Sequence, residues 1–263
     1  MALDIYLPSP FRLSAHDVLD STNAEAKRAA ATDANHLVVW AREQTAGRGR
    51  RGRDWVSPPG NLYCSFLMRP EFPPHVAMRV GFVASIALAD TVASVLPKSS
   101  YVHTKWPNDV LVEDKKIAGI LMESALDDAG GLDWAVIGTG VNIASHPDGT
   151  PYPATHLHGE GGAAVTDAKL LEIYVLRFLA WYVTWKKLGF GPVRQAWLRR
   201  ARGLGQPITV RLPNEELSGV FEALDEDGAL ILATEEGKRR IAAGDVFPTA
   251  PFERMDEPTR DTA

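Results

Sequence analysis

Apolar positions divide the chain into short blocks. Residues 24–31, alanine-rich behind Ser21-Thr22-Asn23, predict a helix, and Thr22 with Glu25 has the spacing of a capping box. Residues 37–40 (LVVW) predict a short buried strand, since β-branched and aromatic residues suit a pleated surface. Residues 41–61 are dense in Gly, Arg and Pro and predict a loop, followed by a strand over 62–68 (LYCSFLM). Residues 75–96 are rich in Ala, Val and Leu and predict a buried helix closed by Pro97. Strand-like pieces follow at 101–106, 110–113, 117–123 and 134–143, with an Asp-Lys-Lys turn at 114–116. Residues 146–162 read as an exposed connection. Residues 167–188 form a long helix whose Tyr174, Phe178, Trp181 and Trp185 recur every three or four positions, the stripe of a helix packed on a sheet. A short helix is expected over 193–202.

Beyond Gln206 the pattern becomes short strands (208–212, 217–224, 229–233 and 238–241) separated by Pro213-Asn214, Asp227-Gly228 and Glu236-Gly237. Asp-Gly between two such runs is a hairpin signal. The expected architecture is α+β: a mixed β-sheet packed with helices over residues 1–203, then a small all-β module over 204–250. A polar tail over 251–263 is expected to fray.

Composition narrows the classes of function. Among 263 residues, 28 Lys and Arg against 33 Asp and Glu give a net charge of −5, unfavourable for general polyanion binding. The lone Cys64 excludes an internal disulfide and a multi-cysteine metal site. No run of about 18 uninterrupted apolar residues argues for a membrane span, and the N-terminus lacks a basic and an apolar signal region. A soluble, cytoplasmic protein is expected. Against that background, four arginines fall within residues 48–53.

Gly47–Gly52 matches G-x-G-x-x-G after a strand, yet the dinucleotide reading needs a helix to follow, and Ser57-Pro58-Pro59-Gly60 forbids one. What remains is a loop whose glycines allow close backbone approach and whose arginines present charged forks to phosphate or carboxylate. Such a loop should order when an anion neutralises it; a merely solvated arginine-glycine loop is the alternative. Ser21-Thr22-Asn23 reads either as a helix cap or as a recess of small polar groups at a helix N-terminus. Lys105-Trp106-Pro107-Asn108-Asp109 brackets a turn with opposite charges, aimed at one site or forming a surface pair. Lys116 with Gly119 marks either a snorkelling lysine or a strand approached by a ligand. In Gly138-Thr139-Gly140-Val141-Asn142, Asn142 is either a turn residue or a reader of an adenine edge.

Together, Ser21-Thr22-Asn23, residues 44–55 (QTAGRGRRGRDW), 105–109 (KWPND), 116–119 (KIAG) and 138–142 (GTGVN) resemble the biotin protein ligase family over roughly residues 14–247. The arginine loop with KWPND is the specific part. The resemblance implies a class II synthetase-like ligase core with a C-terminal barrel. It implies that Ser21, Thr22, Asn23 and Gln44 hold the biotin ring, with Arg48, Gly49, Arg50, Lys116 and Gly119 completing the biotin site. It places Arg48, Arg50, Arg51, Arg53, Trp55, Asn108, Lys116 and Asn142 on the adenylate. Lys116, Arg50, Lys105 and Asp109 would be the catalytic set, with Asp109 near magnesium. Only twenty residues precede Ser21, too few for the winged helix of bifunctional members, so a ligase without repressor activity and without DNA as a partner is expected.

The activity so implied joins biotin to ATP, giving biotinyl-5′-adenylate and pyrophosphate, and passes biotin to a lysine of a biotin carboxyl carrier domain. No membrane partner is expected, and a homodimer is compatible with the sequence. Lipoate or octanoate ligation on the same fold is the near alternative; nucleic-acid binding through the arginine loop is the distant one.

Overall fold

The structure, a computed structural model, describes residues 5–249 apart from 33, 71, 78, 151 and 163. Its main element is a seven-stranded sheet in the order β1-β2-β3-β7-β6-β5-β4. These strands are β1 (Arg12–Leu19), β2 (Leu37–Gln44), β3 (Leu62–Met68), β4 (Val102–Lys105), β5 (Asp109–Val112), β6 (Lys115–Leu126) and β7 (Leu132–Val141). β1 runs parallel to β2 through the crossover helix α1 (Thr22–Ala30), and the other neighbours are antiparallel.

The two-residue side-chain period sorts the strands between two faces. Val38 and Trp40 of β2, with Cys64, Phe66 and Met68 of β3, join the large core beneath α3 (Val80–Val95) and α4 (Asp167–Leu188). Val39, Leu67 and Val136 point the other way, onto Ala26 and Ala30 of α1. β3 is buried along its whole length, which explains its continuous apolar run. In α4, Tyr174, Phe178 and Trp185 are buried on one face, while half-buried Trp181 donates to Asp90 Oδ2 at 2.8 Å. Thr166 caps α4 by accepting from the Lys169 N–H.

Several boundaries differ from the sequence reading. β1 escaped it because this edge strand is largely exposed and lacks apolar alternation. β2 continues to Gln44, so the glycine-arginine loop is shorter than 41–61. The helix expected over 75–96 is two, α2 (Pro74–Ala77) and α3; the chain turns where Arg79 stacks 5.5 Å from the Phe190 ring and reaches Asp227 at 2.7 Å. Taken as one stretch, Pro74–Val95 is long and apolar enough to cross a membrane, but 65% of its most apolar window is buried, the mark of a core helix. The following helix, α5, spans Phe190–Arg199.

The C-terminal strands form a second, five-stranded antiparallel sheet in the order β11-β10-β9-β8-β12. They are β8 (Pro207–Arg211), β9 (Glu216–Leu224), β10 (Leu230–Thr234), β11 (Gly237–Ile241) and the unforeseen β12 (Asp245–Pro248). The expected barrel is not closed here: β11 and β12 are both edge strands. The sheet buries its apolar face against Trp106, Trp197 and Ala201 of the preceding chain. The tail over 251–263 lies outside the described residues.

Candidate active site

The cleft lies on the α1 side of the large sheet and begins with a polar recess. Ser21, at the end of β1, is the N-cap of α1 but makes no side-chain cap bond, and Thr22 already belongs to the helix. The capping box therefore does not form. Instead the Thr22 N–H and Oγ1 donate to Gln44 Oε1 at 2.8 and 3.1 Å, and Gln44 Nε2 donates to Ser57 Oγ at 3.0 Å. The Ser57 hydroxyl donates to the Trp55 carbonyl, so a chain of bonds runs from the recess to the end of the arginine loop. A backbone N–H can only donate, which fixes the Gln44 carboxamide with its oxygen toward Thr22. Ser65 Oγ lies 2.8 Å from Thr22 Oγ1 and 2.6 Å from Asn23 Oδ1, while Asn23 Nδ2 donates to Glu123 Oε2 at 2.8 Å. Lys27 completes this set by pairing with Glu123 at 2.7 Å.

Glycines keep the floor flat. Gly119 of β6 and Gly140 of β7 are cross-strand partners, and the Trp55 indole lies over both. A methyl group at Gly119 would come within 3.2 Å of that ring, one at Gly140 would overlap it, and one at Gly138 would overlap the Asn23 carboxamide. The same indole lies 5.4 Å from the Lys116 ammonium.

The charged part of the cleft centres on Asp109, which is 8% exposed. Its Oδ1 meets Lys116 Nζ at 2.6 Å and its Oδ2 meets Lys105 Nζ at 3.2 Å. Burial alone would raise the carboxyl pKa, but Lys116 and then Lys105 outweigh it and hold the group at about 2. Lys105 also faces the Tyr152 ring at 4.6 Å.

The arginine loop folds over this region as a small hairpin. The Gly49 N–H donates to the Arg53 carbonyl at 2.6 Å and the Trp55 N–H to the Gly47 carbonyl at 3.0 Å. Arg50 points inward, donating to Asn108 Oδ1 at 3.1 Å and to the Gly244 carbonyl at 3.2 Å. Burial lowers its pKa, partly offset by Asp245 and Asp109. Asp245, at the start of β12, receives Arg50 at 3.5 Å and Arg51 and Arg53 at 3.2 Å each. In this structure a carboxylate of the chain itself stands against three of the loop's four arginines.

The cleft has a volume of about 480 Å³. Of the residues singled out from sequence, Ser21, Thr22, Asn23, Gln44, Arg48, Gly49, Arg50, Arg53, Trp55, Lys105, Asn108, Asp109, Lys116, Gly119 and Asn142 all line it. Arg51 does not: its backbone is left-handed (φ 55°) and its side chain goes to Asp245. Asn142 is buried, and its Nδ2 donates to the Thr155 carbonyl at 3.0 Å, tying the 153–157 segment to the wall. Ser65, Tyr152, Asp245 and Phe247 were missed; a serine inside an apolar strand and single residues in late segments carry no local signal. Both Asp109 oxygens are engaged by lysines, and among the described residues no group of three His, Cys, Asp or Glu side chains could hold a metal ion. The residues present do not fit a protein-held magnesium centre.

Comparison with known proteins shows the family. The profile of the Biotin/lipoate A/B protein ligase family matches residues 15–142, and that of the Biotin protein ligase C terminal domain matches 203–247. The chain is 41% identical over 233 residues to a biotin–[acetyl-CoA-carboxylase] ligase of Paracoccus denitrificans, covering 87% of this chain and 97% of the relative. It is 31% identical to the bifunctional ligase/repressor BirA of Bacillus subtilis, covering 88% and 72%. A solved biotin protein ligase from Aquifex aeolicus in complex with biotin and ATP superposes with a TM-score of 0.75 at 27% identity, covering 89% and 97%. The chain belongs to the biotin protein ligase family.

Proposed function

We propose that this enzyme condenses biotin with ATP to biotinyl-5′-adenylate and transfers biotin to a lysine of a carboxylase's biotin carboxyl carrier domain. The observation that carries the reading is one cleft holding both a neutral hydrogen-bonding recess and a cluster of cations. The recess of Ser21, Thr22, Asn23 and Gln44, backed by the buried Ser65, offers fixed donors and acceptors to the ureido ring of biotin. Lys116 uses one donor on Asp109, which leaves two N–H groups for the biotin carboxylate and the α-phosphate. A carboxylate oxygen attacks the α-phosphorus, pyrophosphate leaves, and Lys116 with Arg50 offsets the repulsion of the two anions. The acceptor amine then attacks the acyl carbon, AMP departs, and an amide forms.

Arg48, Arg53, Trp55, Asn108 and Asn142 line the space assigned to the adenylate. The arginine hairpin shields the mixed anhydride from water. Magnesium enters as part of the ATP substrate, carried by its phosphates. We assign residues 1–203 to the catalytic unit and 204–250 to the accessory sheet, and place the reaction in the cytoplasm, where ATP and carrier domains meet. The match of residues 203–247 to the biotin-specific C-terminal profile favours biotin over lipoate. The purified chain with ATP, magnesium and biotin should release pyrophosphate; turnover with lipoate and none with biotin would overturn the assignment.

A further inference from the structure

We propose that Trp106 is a positioning residue for adenylation, seated in the C-terminal sheet by the carbonyl of Gly228; this rests on the biotin ligase reading above. Lys105, Pro107, Asn108 and Asp109 line the cleft, but Trp106 between them does not. Its side chain, 2% exposed, lies in the apolar core of the C-terminal sheet with Ile208, Phe221 and Leu230. Its indole N–H donates to the Gly228 carbonyl at 3.1 Å.

The receiving turn, residues 225–229, is braced from two sides. Asp225 Oδ1 accepts from the N–H groups of Asp227 and Ala229 at 2.8 Å each, and Arg79, at the start of α3, grips Asp227 at 2.7 Å. Gly228 has φ +88°, a conformation that favours glycine, and a methyl group there would run into the Phe82 ring. Trp106 therefore acts as a peg in a rigid socket. On either side of the peg, Lys105 and Asp109 are partners in the β4–β5 ladder and form an ion pair, and Asp109 in turn holds Lys116. A displaced Trp106 moves the groups on which the ammonium of Lys116 depends. No residue of the recess built from α1, Gln44 and Ser65 belongs to the apolar cluster that holds the peg. A fault in the peg should accordingly slow the chemical step far more than it weakens biotin binding, which keeps its recess and has only the contact to Lys116 disturbed.

Trp106→Phe keeps an aromatic ring and removes the N–H; Gly228→Ala perturbs the socket without touching the cleft. With full-length protein, ATP, magnesium and biotin, single-turnover pyrophosphate release should fall about tenfold or more in both, the scale of loss when a reacting group is misplaced. The dissociation constant of biotin, measured by calorimetry without ATP, should rise by no more than about threefold, since the recess is unaltered and only the contact to Lys116 is disturbed. Ile208→Val, a mild cavity in the same core, supplies the control for loss of stability alone. A wild-type rate in Trp106→Phe, or an equal slowing in Ile208→Val at matched loss of Tm, would overturn the proposal. A wild-type chain without biotin-dependent release would overturn the functional reading, and this inference with it.

Discussion

The carboxylate of Asp109 is the one negative charge shared by Lys105 and Lys116, and its consequences can be worked out with sign. Its folded pKa of about 2 lies below the ordinary 3.8, so the ionised form is favoured by folding. The stabilisation is complete above roughly pH 4 and is lost as pH falls toward 2. Asp109→Asn removes one partner of a buried ion cluster and should cost about 3 kcal/mol at neutral pH. Thermal melts of the two proteins should converge between roughly pH 4 and 2; a constant gap across that window would contradict the account. Lys116, half-buried, is less important to the fold and more to the chemistry. Lys116→Ala should fold normally yet lose on the order of 10²-fold or more in adenylation, the scale seen when a donor to developing charge is removed. Near-normal pyrophosphate release would refute that role.

Among the elements, the arginine hairpin shows how local motifs and distant pairing divide the site between them. Gly47–Trp55 was readable because its signal is local: glycines for close approach, arginines for anions, prolines against a helix. The residue that holds it was not readable, because Asp245 lies 192 positions beyond Arg53 and stands in a four-residue edge strand. Ser65 was hidden in the same way, since only the pairing of β3 brings it beside Thr22 and Asn23. Strand β3, buried on both faces, declared itself by an unbroken apolar run, whereas the exposed edge β1 gave no periodicity to read. The hairpin's dependence on Asp245 is testable. Asp245→Asn leaves three guanidinium groups without their shared counter-charge, so the free protein should be nicked by trypsin within residues 48–53 faster than wild type. ATP with biotin should restore protection by supplying anions. Equal cleavage rates in the unliganded proteins would show that Asp245 does not organise the loop.

For the molecule as a whole, the question is whether the C-terminal sheet folds independently of the ligase core. Its change in pattern near Gln206 suggested a separate unit, and a sheet of about 45 residues is too small to bury an adequate core by itself. The structure resolves that shortage by sharing: Trp197 of α5 and Trp106 of the β4–β5 turn complete the apolar cluster of β8, β9, β10, β11 and β12. Trp197 is fully buried and also donates its indole N–H to Ser85 of α3 at 3.2 Å, so one side chain belongs to both regions. Arg79–Asp227 adds a charged tie between the same two bodies. Separation of the sheet would expose these tryptophans, and the cost of that exposure couples the two unfolding events. Calorimetry should therefore give a single transition, coincident with loss of tryptophan burial by fluorescence. Trp197→Ala should lower that one transition by the equivalent of about 3–5 kcal/mol, as expected for emptying a large core site. Two resolved transitions in the wild-type chain, with only the smaller moved by Trp197→Ala, would show instead that the sheet is an independent module and that the shared core contributes little.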